Sequence, residues 1–136
     1  MNGPADAPYS IQNVKTKKSA IVGANNFIDT SASNHAVFNI ALVPGRSVYT
    51  ITERKTGHYV GAENTGKPRR VILQLAPFEW TIEAAGSATW NIGLKLDNLW
   101  WDDLSNSSGC NKTEVALRDG MSDETAWQLV AAPRGA

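Results

Sequence analysis

Residues 48–64 read VYTITERKTGHYVGAEN, and the fold turns on whether the rest of the chain reads the same way. Two short runs of alternating β-branched and aromatic residues flank a polar Arg-Lys-Thr-Gly stretch, the pattern of two half-buried strands joined by a turn. Both runs recur. VYTITE (48–53) matches YSIQNV (9–14) and TWNIGL (89–94), whose aromatics Tyr9, Tyr49 and Trp90 are spaced by 40 and 41 residues. HYVGAEN (58–64) matches SAIVGAN (19–25) and, in the same slot, NLWWDD (98–103). A third set is VFNIAL (37–42), EWTIEA (79–84) and AWQLVA (126–131), in which Phe38, Trp80 or Trp127 is followed two residues later by Ile40, Ile82 or Leu129. FIDT, RVILQL and TEVAL fill the remaining strand slot.

The spacing predicts three units of about forty residues with four short strands each. A propeller of four-stranded blades needs about four or more units to close. Three such units predict an all-β chain of one domain with the β-trefoil architecture: a six-stranded barrel capped by a triplet of hairpins, with pseudo-threefold symmetry and few free edges. The units run over about 9–46, 47–86 and 87–132, with residues 1–7 and 133–136 as loose tails. Equivalence places Ile11, Ile51 and Ile92 on one face, and Phe38, Trp80 and Trp127 in the barrel core.

Composition narrows the function. Of 136 residues, 13 are Lys or Arg and 13 Asp or Glu, so the formal net charge is zero. No global positive field recruits nucleic acid or an anionic membrane. The basic stretches KTKK (15–18) and KPRR (67–70) read as solvated loops. No apolar run reaches the ~18 residues of a membrane span. The one cysteine, Cys110, cannot form an internal disulfide, which favours a reducing compartment. MNGPADAPYS at the start lacks a charged segment and an apolar run, so we expect no secretory leader and a cytoplasmic location. The sequons NSS (106–108) and NKT (111–113) then mark an exposed loop rather than glycosylation.

Catalytic and metal-binding patterns are missing from the sequence. His35 and His58 fall in different units, and there is no nucleophile elbow, His-Glu-x-x-His or phosphate-binding glycine loop. Cys110 lies in a polar loop without a nearby histidine, the setting of an incidental surface thiol. Asp102 and Asp103 are adjacent, so on a strand they point apart and cannot act as a glycosidase pair. The expectation is a binding protein without cofactor or metal, not an enzyme.

NLWWDD (98–103) is where the units differ most. Alternation puts one of Trp100 and Trp101 inside and the other outside. If the valines of the matching strands face the core, Trp100 is the exposed ring; if not, Trp101 is. An exposed Trp beside Asp102, Asp103, Asn98 and Asn106 has the composition of a shallow sugar site, with the ring on the C–H face of a pyranose and carboxylates accepting its hydroxyls. The other reading is a second Trp tucked beneath the 104–112 loop.

Over VYTITERKTGHYVGAEN, VILQLAPFEWTI and LWWDDLSNSSGCNKTEVALRDGMSDETAWQLV, the chain resembles small mushroom β-trefoil proteins. These include lectins, notably the type that binds fucosylated chitooligosaccharides, and inhibitors of serine and cysteine proteases. The Gln-x-Trp of ricin-type lectins is replaced by VFN, EWT and AWQ. The resemblance implies a sugar site in the second repeat, where Leu73, Phe78, Glu79 and Trp80 match the motif; the Trp of the preceding strand is missing, with Tyr59 in its place. For an inhibitor it implies an exposed loop presenting Arg46, Arg69 or Arg70. The first-repeat reactive loop of the serine-protease inhibitors here reads GANNFIDTSASN, without Lys or Arg, leaving Asn25 or Asn26 for an asparagine-directed protease. The expectation is a defensive lectin of fungal type that binds glycans as monomer or homodimer; the alternative is a protease inhibitor.

Overall fold

The computed structural model describes residues 3–66, 68–106 and 113–133. Each unit contributes four strands. The first has β1 (Ala7–Asn13), β2 (Ser19–Val22), β3 (Ile28–Ser31) and β4 (Phe38–Leu42). The second has β5 (Tyr49–Glu53), β6 (Tyr59–Ala62), β7 (Val71–Gln74) and β8 (Thr81–Gly86). The third has β9 (Thr89–Leu94), β10 (Leu99–Asp103), β11 (Val115–Asp119) and β12 (Trp127–Ala131). Among the described residues the only helical pieces are short 3₁₀ turns.

Six strands form the barrel. β12 pairs with β1, β1 with β4, β4 with β5, β8 with β9 and β9 with β12. The seam between β5 and β8 is closed by a bridge between Tyr49 and Trp80, whose backbones exchange two hydrogen bonds of 2.8 Å. The hairpins β2–β3, β6–β7 and β10–β11 cap it. Three isolated bridges, Phe27 to Ile72, Arg70 to Ala116 and Glu114 to Asp29, join the hairpins in a ring. Each runs from the residue before a buried aliphatic in one hairpin to the residue after the equivalent one in another, so Ile28, Val71 and Val115 are threefold equivalents, all fully buried. The chain is an all-β β-trefoil, as its repeat predicts.

The core follows the repeat. Ile11, Ile51 and Ile92 are fully buried, and so are Phe38, Trp80 and Trp127. Trp80 donates its Nε1–H to the Val60 carbonyl at 2.7 Å, and Trp127 donates its own to the Trp101 carbonyl at 3.0 Å. Phe38 has no N–H to donate, and in the first unit the Ala20 carbonyl takes the Ala36 backbone N–H instead, at 3.0 Å. These bonds make Ala20, Val60 and Trp101 equivalent. The shared Val-Gly-Ala of the first two units is therefore two residues out of structural register: Val22 corresponds to Ala62 and Asp103, not to Val60. A shift of two preserves which face a side chain takes.

The turns also repeat. Lys17, Gly57 and Asn98 lie at matching turn positions and share left-handed backbones, with φ of 65°, 74° and 54°. Of the expected N-terminal tail, the described residues 4–7 are held in place. Pro4 is buried, Asp6 Oδ1 accepts the Leu42 N–H at 2.9 Å, the Tyr9 hydroxyl donates to the Ala5 carbonyl at 2.7 Å, and Ala7 already belongs to β1. Cys110 and most of both sequons lie outside the described residues.

Candidate functional site

Neither tryptophan of NLWWDD faces solvent: Trp100 is 1% exposed and Trp101 0%. Trp101 points inward, as its equivalent Val60 does. It meets Trp80 and Trp127 edge to face at 5.4 and 5.9 Å, a favourable geometry for aromatic pairs. Trp100 does point away from this core, as alternation requires, but outward-pointing is not exposed. Its ring lies against Gly93 of β9, where an added Cβ would fall 2.6 Å from Trp100 Cε3, and its Nε1–H is donated to Asn98 Oδ1 at 2.9 Å. The 3₁₀ turn Asp123–Thr125 packs over β10 from outside. That turn is anchored to the barrel: Thr125 Oγ1 donates to Asn91 Oδ1 at 2.9 Å, and Asn13 Nδ2 donates to the Glu124 carbonyl at 3.1 Å. The expected sugar platform at Trp100 or Trp101 is thus filled and roofed.

The two aspartates do point apart, and both are buried. Asp103 ties the first and third units together. Its carboxylate accepts from Thr16 Oγ1 (2.7 Å), Thr30 Oγ1 (3.0 Å), Ser105 N (3.0 Å) and Ser105 Oγ (2.7 Å). Asp102 lies on the outer face near the Arg118–Glu124 ion pair, and its buried Oδ1 has no hydrogen-bond partner among the described residues. Burial pushes its carboxyl up to about 6; Arg118 opposes the rise, while Glu124 and Asp103 add to it. Asn98, expected in the sugar site, is the left-handed turn residue that holds Trp100.

The second-repeat motif divides in the same way. Leu73 and Trp80 are core residues, and Phe78 is half-buried against Trp80 with centroids 4.8 Å apart. Glu79 is exposed and paired with Arg46 at 2.7 Å. A lectin residue and an inhibitor residue of the sequence reading therefore neutralise one another. Arg70 is not an exposed inhibitory side chain: it stacks 3.4 Å over the Phe27 ring and pairs with Glu114 at 3.2 Å. Arg69 is half-buried and donates its Nε–H to the Glu63 carbonyl at 2.6 Å. Asn25 and Asn26 are exposed, but their φ of 58° and 64° curl the chain in a 3₁₀ turn, whereas substrate-like inhibition needs an extended loop.

Among the described residues open clefts lie elsewhere, with volumes of about 380 to 600 Å³. A cleft of about 430 Å³ runs between β2 and the loop joining β3 to β4, bounded across the way by the turn after β5. Its apolar floor is Ile21, Val22 and Val37; its polar walls are Asn34 and His35 on one side and Glu53, Arg54 and Lys55 on the other. A second cleft of about 460 Å³ shares His35, Val37 and Arg54 and extends to Ser10, Gln12 and Ser19. The two are neighbours that share three lining residues, and each is within the roughly 300–1,000 Å³ of small-ligand sites. Among the described residues no three His, Cys, Asp or Glu side chains group to hold a metal ion. The sequence reading missed this site because its walls come from loops of two units and carry no motif; the only available signal was a histidine and an amide in a polar loop beside an aliphatic strand.

No protein-family model matches the chain, and no curated protein is similar to it in sequence. Solved structures are similar in fold. A ricin B-like lectin of Macrolepiota procera, in complex with lactose, has 19% identity over 97% of this chain and 100% of its own, with a TM-score of 0.80. The Rhizoctonia solani agglutinin has 18% identity over 95% and 97%, with a TM-score of 0.78. The designed threefold-symmetric protein ThreeFoil has 16% identity over 93% and 100%, with a TM-score of 0.74. At such identities the likeness is one of fold.

Proposed function

We propose that the protein binds carbohydrate through the first-unit groove around His35 and Arg54. The observation that carries this reading is the groove itself: two clefts joined at His35, Val37 and Arg54, with an aliphatic floor and polar walls. Floor and walls match the two aspects of a sugar, an apolar C–H surface and a ring of hydroxyls. The floor residues Ile21 and Val22 stand on β2, and Arg54 is held by its bonds to Val37 and Pro133, so part of the site is already ordered before binding. Support also comes from the fold, which the Macrolepiota procera lectin shares while holding lactose. A defensive role in a fungus, by capture of glycans in a grazing animal, extends this reading and rests on the sequence resemblance to mushroom lectins.

A glycan-array screen tests it. The wild-type chain is expected to bind a defined subset of glycans, and His35→Ala and Asn34→Ala to lose most of that signal at unchanged melting temperature. A silent array at high protein concentration, or full binding by both variants, would overturn the assignment. The inhibitor reading has no structural observation in its favour: Arg46 is ion-paired, Arg70 is enclosed, and Asn25 and Asn26 are left-handed.

A further inference from the structure

Donors outnumber acceptors in the groove. Asn34, His35, Ser10, Gln12 and Ser19 can each both donate and accept, whereas Arg54 and Lys55 only donate and are permanent cations. The one acid, Glu53, is only 6% exposed, and its Oε1 is occupied by the Thr56 hydroxyl at 2.7 Å. Among the described residues Arg54 and Lys55 make no ion pair, unlike Arg46 with Glu79 or Lys95 with Glu83 at 2.7 Å. Arg54 is also held in place: its backbone N–H donates to the Val37 carbonyl at 2.9 Å, and Nη1 donates to the Pro133 carbonyl at 2.6 Å. That uses one of the five guanidinium donors and fixes the direction of the rest. No Trp, Tyr or Phe lines either cleft, so the only ring there is the polar imidazole of His35, a poorer stacking face for a neutral pyranose than an indole or phenol.

A site with donors in excess, one anchored and one exposed cation, and its single carboxylate buried suits a ligand with acceptors in excess. We propose that the groove selects saccharides bearing an anionic group, a carboxylate or sulfate, seated against Arg54 and Lys55. The continuation into the second cleft gives such a ligand room for more than one sugar. This rests on the carbohydrate-binding reading and narrows its ligand class. Because the net charge is zero, selectivity for an anion here reflects this local arrangement rather than the overall field.

The test is isothermal titration of the full chain with tetragalacturonic acid and with its fully methyl-esterified form, which differ in charge but hardly in shape. The acid is expected to bind roughly tenfold or more tighter, the scale of one charge-assisted contact pair. Lys55→Gln, on an exposed turn, should weaken the acid about fivefold while leaving the ester unchanged. Arg54→Gln should do more, and Lys95→Gln, in a different cleft, nothing. Equal binding of acid and ester would overturn the proposal while sparing carbohydrate binding. Equal losses from Lys55→Gln and Lys95→Gln would overturn it by showing diffuse attraction, and competition by equimolar inorganic sulfate would overturn it by showing an anion site that ignores the sugar. If acid, ester and lactose all fail to bind at millimolar concentration, carbohydrate binding itself is refuted.

Discussion

At Asp102 a carboxyl group is buried beside an ion pair with one oxygen unpaired, and at Asp103, one residue on, a carboxylate receives four hydrogen bonds. The two should respond oppositely to neutralisation. With a native value near 6 and an unfolded value of about 3.9, Asp102 holds a proton in the native state between those limits that the unfolded chain has released. Its contribution to stability therefore falls as pH rises from about 4 to 6. Asp102→Asn should be more stable than the parent at pH 7.5, on the order of 1 kcal/mol or more, and the advantage should vanish near pH 3.5, as read by urea unfolding. A parent more stable than the variant at pH 7.5 would mean the ion has a partner. Asp103→Ala strands buried hydroxyls and an N–H and should cost about 3 kcal/mol or more at neutral pH. For the tryptophans we expect Trp100→Ala and Trp101→Ala both to destabilise, each by roughly 3–5 kcal/mol, and neither to change saccharide affinity in the folded protein. The sequence shows that one Trp of the pair turns inward but leaves open which; the burial of Val60 decides for Trp101. The sequence also hides the fate of Trp100, because alternation gives the face a side chain takes and not what lies over that face.

Among elements, the strands were legible and the turns less so. All twelve strands fall on the repeated runs, because each run alternates and is bounded by turn-forming residues. The Val-Gly-Ala match misled the alignment by two residues, since a shift of two leaves every face unchanged; only the bonds to the Ala20, Val60 and Trp101 carbonyls reveal the register. Matching turns place Lys17 where the second unit has Gly57, both with positive φ. A lysine there bears a Cβ strain that glycine lacks. Lys17→Gly is expected to stabilise by roughly 0.5–1 kcal/mol and Gly57→Ala to destabilise by a similar amount or more, measured by thermal unfolding. At Gly93 the constraint is packing: a Cβ would fall 2.1 Å from the Leu99 carbonyl oxygen and 2.6 Å from the Trp100 ring. Gly93→Ala must push β10 away from β9, and we expect a loss of several kcal/mol, or failure to fold.

For the molecule as a whole, the pseudo-threefold frame makes the three units alike in backbone and lets them differ in surface. The same outer face of the hairpin is packed by Trp100 in the third unit and left open at Ser19 and Ile21 in the first. Legibility divides along that line. Core positions repeat and can be read by comparing units, whereas a groove built between units from Asn34, His35, Arg54 and Lys55 repeats nowhere. If saccharide is held only at the proposed groove, a monomer is expected to bind glycans without agglutinating cells. The central claim, that ligand binds at the first-unit groove and not at the Trp-Trp pair, is tested most directly by titrating the isotope-labelled protein with a bound saccharide in a heteronuclear NMR experiment. The five indole N–H signals report on the tryptophans individually. The account predicts that the amides of Asn34–Val37 and Arg54–Thr56 shift while the indoles of Trp100 and Trp101 stay in place. Large shifts of the Trp100 indole with no change at 34–37 would contradict it.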